Sequence, residues 1–354
     1  MKLISELLGN GRIIQSPVGN EKGYWAGAPG VFFAADENAW YLTYRIRRPR
    51  GVEPDRGGEA RIARSTDLKS WEDIWSVTKD KYNSASIERS AIRKGADGIW
   101  RYVTSYVDPE DGRWCVSVIK GTDIGKFDAG QVQKIFTAKP LELEGIKDPW
   151  IFEERGIFYM ILSIALPTKT TSDKSHSTLD IYNTGECISA TGLATSKDLD
   201  NWEWQGVIFE PEKTGWDCYC RRINSFVRIN EKYFAFYDGS ASHLENYEEK
   251  TGVAVSMALR NWRTLTPERP VFTSPHASNS LRYIDAQIVN EQVYIFYEFA
   301  RADGAHDLRL LKTNDLRIRE SGHDKSAFQT LEEWTNISSW LMPEVVQTFH
   351  DIIS

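Results

Sequence analysis

A seven-residue phrase recurs along this chain, and regular recurrence of a supersecondary unit restricts the architecture more than any single motif does. Ser65-Thr66-Asp67-Leu68-Lys69-Ser70-Trp71 returns as Thr195-Ser196-Lys197-Asp198-Leu199-Asp200-Asn201-Trp202 and as Ser256-Met257-Ala258-Leu259-Arg260-Asn261-Trp262, with a degenerate copy over 121–127. Each full copy follows a run of small residues (60–64, 191–194 and 252–255). Short strands ending in an apolar pair or triplet come after, as at Ile135-Phe136, Val207-Ile208-Phe209 and Val271-Phe272. Upstream lie five aromatic-rich alternating runs, at 39–45, 99–106, 157–163, 233–237 and 293–299. A further apolar strand precedes each, at 30–34, 90–92, 150–152, 225–229 and 286–289. Alternating β-branched and aromatic residues bounded by Gly, Asp and Asn predict antiparallel strands.

Five units of about four strands predict an all-β fold, a five-bladed β-propeller of four-stranded antiparallel blades around a central funnel. One domain over 1–354 would hold it, with blades near 23–78, 87–138, 146–211, 218–275 and 282–316 and a helical tail over 326–354. A strand near 12–16 is expected to pair with the last blade, since closing the ring removes exposed sheet edges. In the phrase itself, Asp is expected to cap a turn and Trp to pack between blades. The phrase therefore supplies fold and not chemistry.

With 43 Lys and Arg against 50 Asp and Glu, the net charge of −7 argues against nucleic-acid binding through bulk charge. No apolar stretch reaches bilayer length, so no membrane association is expected. Residues 1–10 lack a cleavable signal pattern. The four cysteines, Cys115, Cys187, Cys218 and Cys220, have neither disulfide-framework nor zinc spacing, and a cytoplasmic chain with reduced thiols is expected.

Chemistry is expected at the funnel mouth, where the first strands of the blades converge. Four of them begin with charged residues: Ile87-Glu88-Arg89-Ser90, Ile146-Lys147-Asp148-Pro149, Tyr219-Cys220-Arg221-Arg222-Ile223-Asn224 and Tyr283-Ile284-Asp285-Ala286. A charge at the head of a buried strand is costly unless it is paired or faces a wet cavity. Four such stretches predict a polar cup.

Gly145-Ile146-Lys147-Asp148-Pro149-Trp150-Ile151-Phe152, followed by Gly156-Ile157-Phe158-Tyr159-Met160, resembles the Asp-Pro strand start of the five-bladed propeller glycosidases. These are glycoside hydrolase families 43 and 32 and the related family 130 mannoside phosphorylases and hydrolases. The recurrent phrase is similar to theirs as well. Tyr237-Asp238-Gly239, with His243, Tyr247 and Thr251-Gly252-Val253-Ala254 after it, resembles a segment of family 130. The resemblance implies cleavage of glycosidic bonds and equates Asp148 with the third-blade aspartate that orients and tunes its partners in family 43. Other family positions differ. The first-blade aspartate is replaced by Ala28-Pro29, and the fourth-blade glutamate by a region offering Asp217, Cys218 and two arginines. The Glu-Asp-Pro-Arg of family 130 reads Glu88-Arg89-Ser90. Either the carboxylates have relocated or the activity has been lost.

Cleaving a glycosidic bond takes an acid on the leaving oxygen and a base or nucleophile on the other ring face. Glu88 and Asp148 are the expected pair, with Asp285 third and the roles open. Arg89 beside Glu88 favours a charged carboxylate, which suits a base, while Lys147 is expected on the strand face opposite Asp148. Arg45, Arg89, Arg221 and Arg222 are candidates to grip an anionic group, because guanidinium binds carboxylate and phosphate bidentately. An acidic sugar, a sugar phosphate or attacking phosphate all fit. The last would make a phosphorylase, the alternative to a hydrolase, and a non-catalytic carbohydrate-binding propeller is a second alternative. Tyr106 and Trp150 are candidate stacking surfaces, and Asp238 and His243 candidate contacts near the rim. His176 lies in a polar insertion over 169–186, expected as a lid. No zinc spacing, Gly-rich phosphate loop or Gly-x-Ser-x-Gly elbow occurs, so neither cofactor nor metal is expected. A carbohydrate substrate is the expected partner, and the oligomeric state is open.

Overall fold

A computed structural model of the chain describes residues 8–229, 231–290 and 292–313. The tail predicted over 326–354 lies outside the described residues. Strand β1 (Arg12–Gln15) is followed by five groups. The first comprises β2 (Trp25–Ala34), β3 (Ala39–Arg48), β4 (Arg56–Ser65) and β5 (Glu72–Thr78). Next come β6 (Ile87–Lys94), β7 (Trp100–Val107), β8 (Trp114–Gly121) and β9 (Gln133–Phe136), then β10 (Gly145–Glu154), β11 (Ile157–Pro167), β12 (Cys187–Ser196) and β13 (Trp202–Phe209). The last two groups are β14 (Cys220–Ile229), β15 (Lys232–Ser240), β16 (Lys250–Ser256) and β17 (Arg263–Thr264), and β18 (Leu281–Val289), β19 (Gln292–Ala300) and β20 (His306–Thr313). Within each group consecutive strands pair antiparallel. β1 pairs antiparallel with β20, through Arg12–Leu310 and Ile13–Arg309.

The heads of β2, β6, β10, β14 and β18 are buried without alternation, so both of their faces are covered. Their contacts run in a circle: β2 with β6, β6 with β10, β10 with β14, β14 with β18, and β18 with β2. Apolar packing follows the same circle, as layers between neighbouring sheets. Tyr41, Ile62, Ile92 and Tyr102 lie between the first two groups, and Val103, Val116, Ile151 and Leu162 between the second and third. Trp150, Leu193, Phe226 and Tyr237 fill the third interface, and Val227, Phe236, Ile284 and Tyr297 the fourth. Val31, Leu42, Phe296 and Leu308 join the fifth group back to the first. Such sheet-on-sheet burial explains why aromatic and β-branched residues alternate along the second strand of each group.

Each innermost strand also carries a β-bulge near its head: Gly27/Gly30, Ile87/Ser90, Lys147/Trp150, Ile223/Ser225 and Arg282/Asp285. Three bulge residues are left-handed, Ala28 at φ 53°, Asp148 at 57° and Tyr283 at 54°. A bulge re-aims the side chains it carries. Four of the five bulges coincide with the stretches singled out by their charges, and the fifth lies in the uncharged Gly27-Ala28-Pro29-Gly30.

Candidate active site

Arg89 is the hub of the axis. Its Nε donates to the Pro29 carbonyl (2.7 Å), Nη1 to the Asn224 carbonyl (2.7 Å) and Nη2 to Asp285 (3.3 Å), and its backbone N–H reaches Asp148 (3.3 Å). One residue thereby ties together all five innermost strands. Asp285 also accepts from the Val31 N–H (2.8 Å), Trp150 Nε1 (3.1 Å) and Gln287 Nε2 (2.6 Å). Burial pushes its carboxyl up despite Arg89. Both of its oxygens are occupied, so Asp285 and Arg89 fasten the axis where the charge pattern had pointed to chemistry.

Glu88 and Asp148 do meet. The Tyr283 hydroxyl lies 3.4 Å from Glu88 Oε2 and 3.4 Å from Asp148 Oδ2, and its single proton serves one of them at a time. Burial holds that phenol protonated, well above its ordinary range. Arg45 pairs with Glu88, and Lys147 Nζ lies 3.5 Å from Asp148 and 4.0 Å from Glu88. Strand alternation predicted Lys147 on the other face. The bulge overrides alternation here and brings Lys147 and Asp148 to the same side. The ammonium sits over Trp114 (4.9 Å) and Tyr182 (4.8 Å). Burial opposes the Asp148 charge, but Lys147, Arg222, Arg89 and Arg45 outweigh it and lower its pKa.

Beside this pair runs a buried ionic chain. Arg222 pairs with Glu249, whose Oε2 lies 2.6 Å from Arg282 Nη1. Arg282 reaches Glu298 Oε1 (2.8 Å), which also meets His306 Nδ1 (2.8 Å). His306 Nε2 lies 3.2 Å from Glu248. Arg222 and Arg282 overcome burial and hold Glu249 down at about 2. Asp238 behaves oppositely. It is fully buried, and its Oδ1 accepts the Tyr283 N–H (3.1 Å) while Oδ2 has no hydrogen-bond partner among the described residues. Burial, aided by the nearby Glu249 and resisted by Arg222, pushes its carboxyl up to about 7.

The insertion over 169–186 is folded into two short helical turns, Asp173–Thr178 and Ile181–Asn183. Asp180 anchors it, accepting from Trp114 Nε1 (3.2 Å) and from the Tyr247 hydroxyl, with Arg56 at 3.7 Å. His176 braces it through Glu144 (2.7 Å). Buried Tyr182 reaches inward from the insertion, under Lys147 and Arg222. The cup beneath is closed: Glu88 is 2% exposed and Asp148 3%.

The remaining sequence candidates divide. Arg45, Arg222 and Asp238 join the cup. Half-buried His243 stands at the rim, its ring 6.3 Å from Tyr219. Three others are corrected by their surroundings. Tyr106 stacks on Tyr82 (4.9 Å) in the core between the first two groups, and Trp150 packs on Phe152 and Phe226 while serving Asp285. Arg221 is bound to Asp217 (2.8 Å) and Glu212 (3.1 Å), next in sequence to Arg222 but on the opposite strand face. Sequence reasoning missed Glu249, Arg282, Tyr283, Glu298 and His306. Glu298 carried a usable signal, as a lone carboxylate inside the aromatic run Tyr294-Ile295-Phe296-Tyr297-Glu298-Phe299. Among the described residues no group of three His, Cys, Asp or Glu side chains could hold a metal ion, and no helix is long and apolar enough to cross a membrane.

No family profile and no curated protein matches the sequence. Solved structures do match in fold. A thermostable family-43 glycoside hydrolase is similar at 14% identity, with 84% of this chain and 91% of that one covered and a TM-score of 0.59. The endo-arabinase of Bacteroides thetaiotaomicron is similar at 13% identity, with 87% and 99% covered and a TM-score of 0.55. A β-1,2-mannobiose phosphorylase from Listeria innocua is similar at 13% identity, with 84% and 92% covered and a TM-score of 0.54. At these identities the likeness is one of architecture: the chain has the all-β, propeller-type fold found in these glycoside hydrolases and phosphorylases.

Proposed function

We propose that the chain is a five-bladed propeller of four-stranded blades that hydrolyses a glycosidic bond in its funnel. Asp238 protonates the leaving oxygen, and Asp148 acts as base or nucleophile. The blade count is supported by the circular contacts of β2, β6, β10, β14 and β18, with β1 as the fourth strand of the last group. One observation carries the chemistry. Carboxylates of a single cup are held in opposite states, Asp238 pushed up to about 7 while Asp148 and Glu249 are lowered. Environments that drive carboxyl pKa values apart separate acid from base, and glycosidic cleavage uses that separation. The Arg89 N–H, the Tyr283 hydroxyl and Lys147 Nζ approach the Asp148 carboxylate at 3.3, 3.4 and 3.5 Å, which leaves it freer than Glu88, locked to Arg45.

Water, and not phosphate, is the proposed acceptor. The cations in contact with Glu88, Asp148 and Glu249, namely Arg45, Lys147, Arg222 and Arg282, are each paired with a carboxylate, and phosphate attack beside those carboxylates would need one of them unengaged. The test is a panel of aryl glycosides and oligosaccharides, with and without phosphate. Sugar release without phosphate is expected, and Asp148→Asn should lower kcat/KM by about 10²–10⁴-fold with the circular-dichroism spectrum unchanged. Silence across the panel would sink the glycosidase reading. Phosphate-dependent release of a sugar phosphate would replace hydrolysis with phosphorolysis.

A further inference from the structure

Arg47, on β3 two residues beyond Arg45, has surroundings unlike those of the other buried cup arginines. Arg45, Arg222 and Arg282 each meet a carboxylate. Arg47 is 7% exposed and meets none among the described residues. Its guanidinium lies against two rings, 4.4 Å from Trp25 and 4.3 Å from Tyr247, which are tilted at 52° to each other. Aromatic faces offset part of the cost of burying a cation, but they accept no in-plane hydrogen bond. Its Nε is buried with no acceptor among the described residues. The same is true of Trp25 Nε1, on the residue paired with Arg47 in the β2–β3 ladder, and of Arg45 Nε.

Three orphaned donors therefore lie on one patch where the head of β2 meets the end of β3, and the Arg47 charge has no carboxylate of its own there. Arg45 and Arg282 both repel the Arg47 charge, and Glu88, which attracts it, is already bound to Arg45. A buried donor left without an acceptor forfeits its hydration with nothing in return, so native structures seldom keep one idle. The complement of such a patch is rich in acceptors and negative. Carboxylate and phosphate both fit a guanidinium in this way.

We propose that Arg47, assisted by Trp25 Nε1, binds an anionic substituent of the sugar, a carboxylate or a phosphate. The proposal rests on the reading of the funnel as a carbohydrate site, but its test needs no turnover. Binding of glucuronate, glucose 6-phosphate, inorganic phosphate and glucose to the full chain would be measured by calorimetry. Wild type, Arg47→Gln and Arg47→Lys would be compared, with fold checked by circular dichroism. At least one anionic sugar should bind tenfold or more tightly than glucose. Arg47→Gln should abolish that preference, and Arg47→Lys, which keeps the charge but loses the planar fork, should retain part of it.

The glucuronate and glucose 6-phosphate arms separate the two anions. Tight binding of inorganic phosphate alone, with neither anionic sugar preferred over glucose, would leave Arg47 an anion site but overturn its assignment to a substituent of the sugar. Equal affinity for glucose and the anions, no binding of any probe, or a preference surviving in folded Arg47→Gln would each overturn the proposal. If the variant fails to fold, Arg47→Lys decides: undiminished preference for the anion over glucose counts against the planar guanidinium contact. An anion preference in a protein that cleaves no glycoside would leave this site standing and remove the glycosidase reading.

Discussion

At the scale of single residues, the cup is a problem of charge burial solved by pairing. Glu298 is its keystone, holding Arg282 and His306 together through Oε1 while Oε2 accepts the Ala28 N–H (3.1 Å). Arg282 and His306 overcome burial to hold it far below the usual carboxylate range. Glu298→Ala leaves Arg282 with Glu249 alone and His306 with Glu248 alone, and should cost about 1.5–3 kcal/mol in a urea titration. Gly27 is small for the same reason, since a Cβ there would lie 1.8 Å from Glu298 Oε2. Asp238 gives a prediction of opposite sign. Its carboxyl titrates at about 7 when folded and near 3.8 in the reference state, so the native state binds the extra proton between those values. Its contribution therefore falls as pH rises from about 4 to about 7. Asp238→Asn should flatten that slope and make the variant the more stable of the two at pH 8, read from urea midpoints across the range.

At the scale of elements, the recurrent phrase behaves as its chemistry dictates. Leu68, Leu199 and Leu259 all adopt left-handed φ, at 60°, 66° and 61°. Asp198 Oδ1 accepts the N–H groups of Asp200 (2.9 Å) and Asn201 (2.7 Å), and Asp67 does the same for Lys69 (2.7 Å) and Ser70 (2.8 Å). The tryptophan indole closes the turn, from Trp202 to the Leu199 carbonyl (3.0 Å) and from Trp262 to that of Leu259 (3.1 Å). Asp198→Ala should cost about 1 kcal/mol, as loss of a comparable side-chain cap does, and should leave sugar binding unchanged. The preceding small residues make room for neighbouring rings: a Cβ on Gly192 would lie 2.2 Å from Trp204, and one on Gly252 2.3 Å from Tyr237. Bulges were the element feature that local pattern concealed. Alternation placed Lys147 opposite Asp148, and an inserted residue reversed it.

At the scale of the whole molecule, closure joins the two ends of the described chain. The His306 N–H bonds the Tyr24 carbonyl (3.0 Å), and its ring stacks on Trp25 (4.7 Å). Burial would lower the His306 pKa, but Glu248 and Glu298 raise it above 6.5. A histidine with a raised folded pKa contributes stability that is fully present below 6.5 and lost as pH climbs through the folded value. His306→Gln should therefore destabilise the protein more at pH 6 than at pH 9. Arg89 fastens the axis as His306 fastens the seam. Arg89→Met would leave Asp285 buried without its cation, at a cost of about 3–5 kcal/mol, with a loss of cooperativity visible in the denaturation curve.

The sequence by itself determined what neighbours along a chain can determine: strand periodicity, turn chemistry, small residues under aromatic ones, and charges at the heads of inner strands. Glu88 and Asp148 were legible because each stands in such a head. Only the tertiary structure decided which charges meet. Arg45 finds Glu88 and Glu298 across the ring, Arg89 spans five strands, and Arg221 and Arg222 part company on one strand. These meetings depend on closure and on five bulges that shift side chains between faces. A buried ion pair is stabilised by a partner from elsewhere in the fold, and local sequence holds no record of where that partner lies.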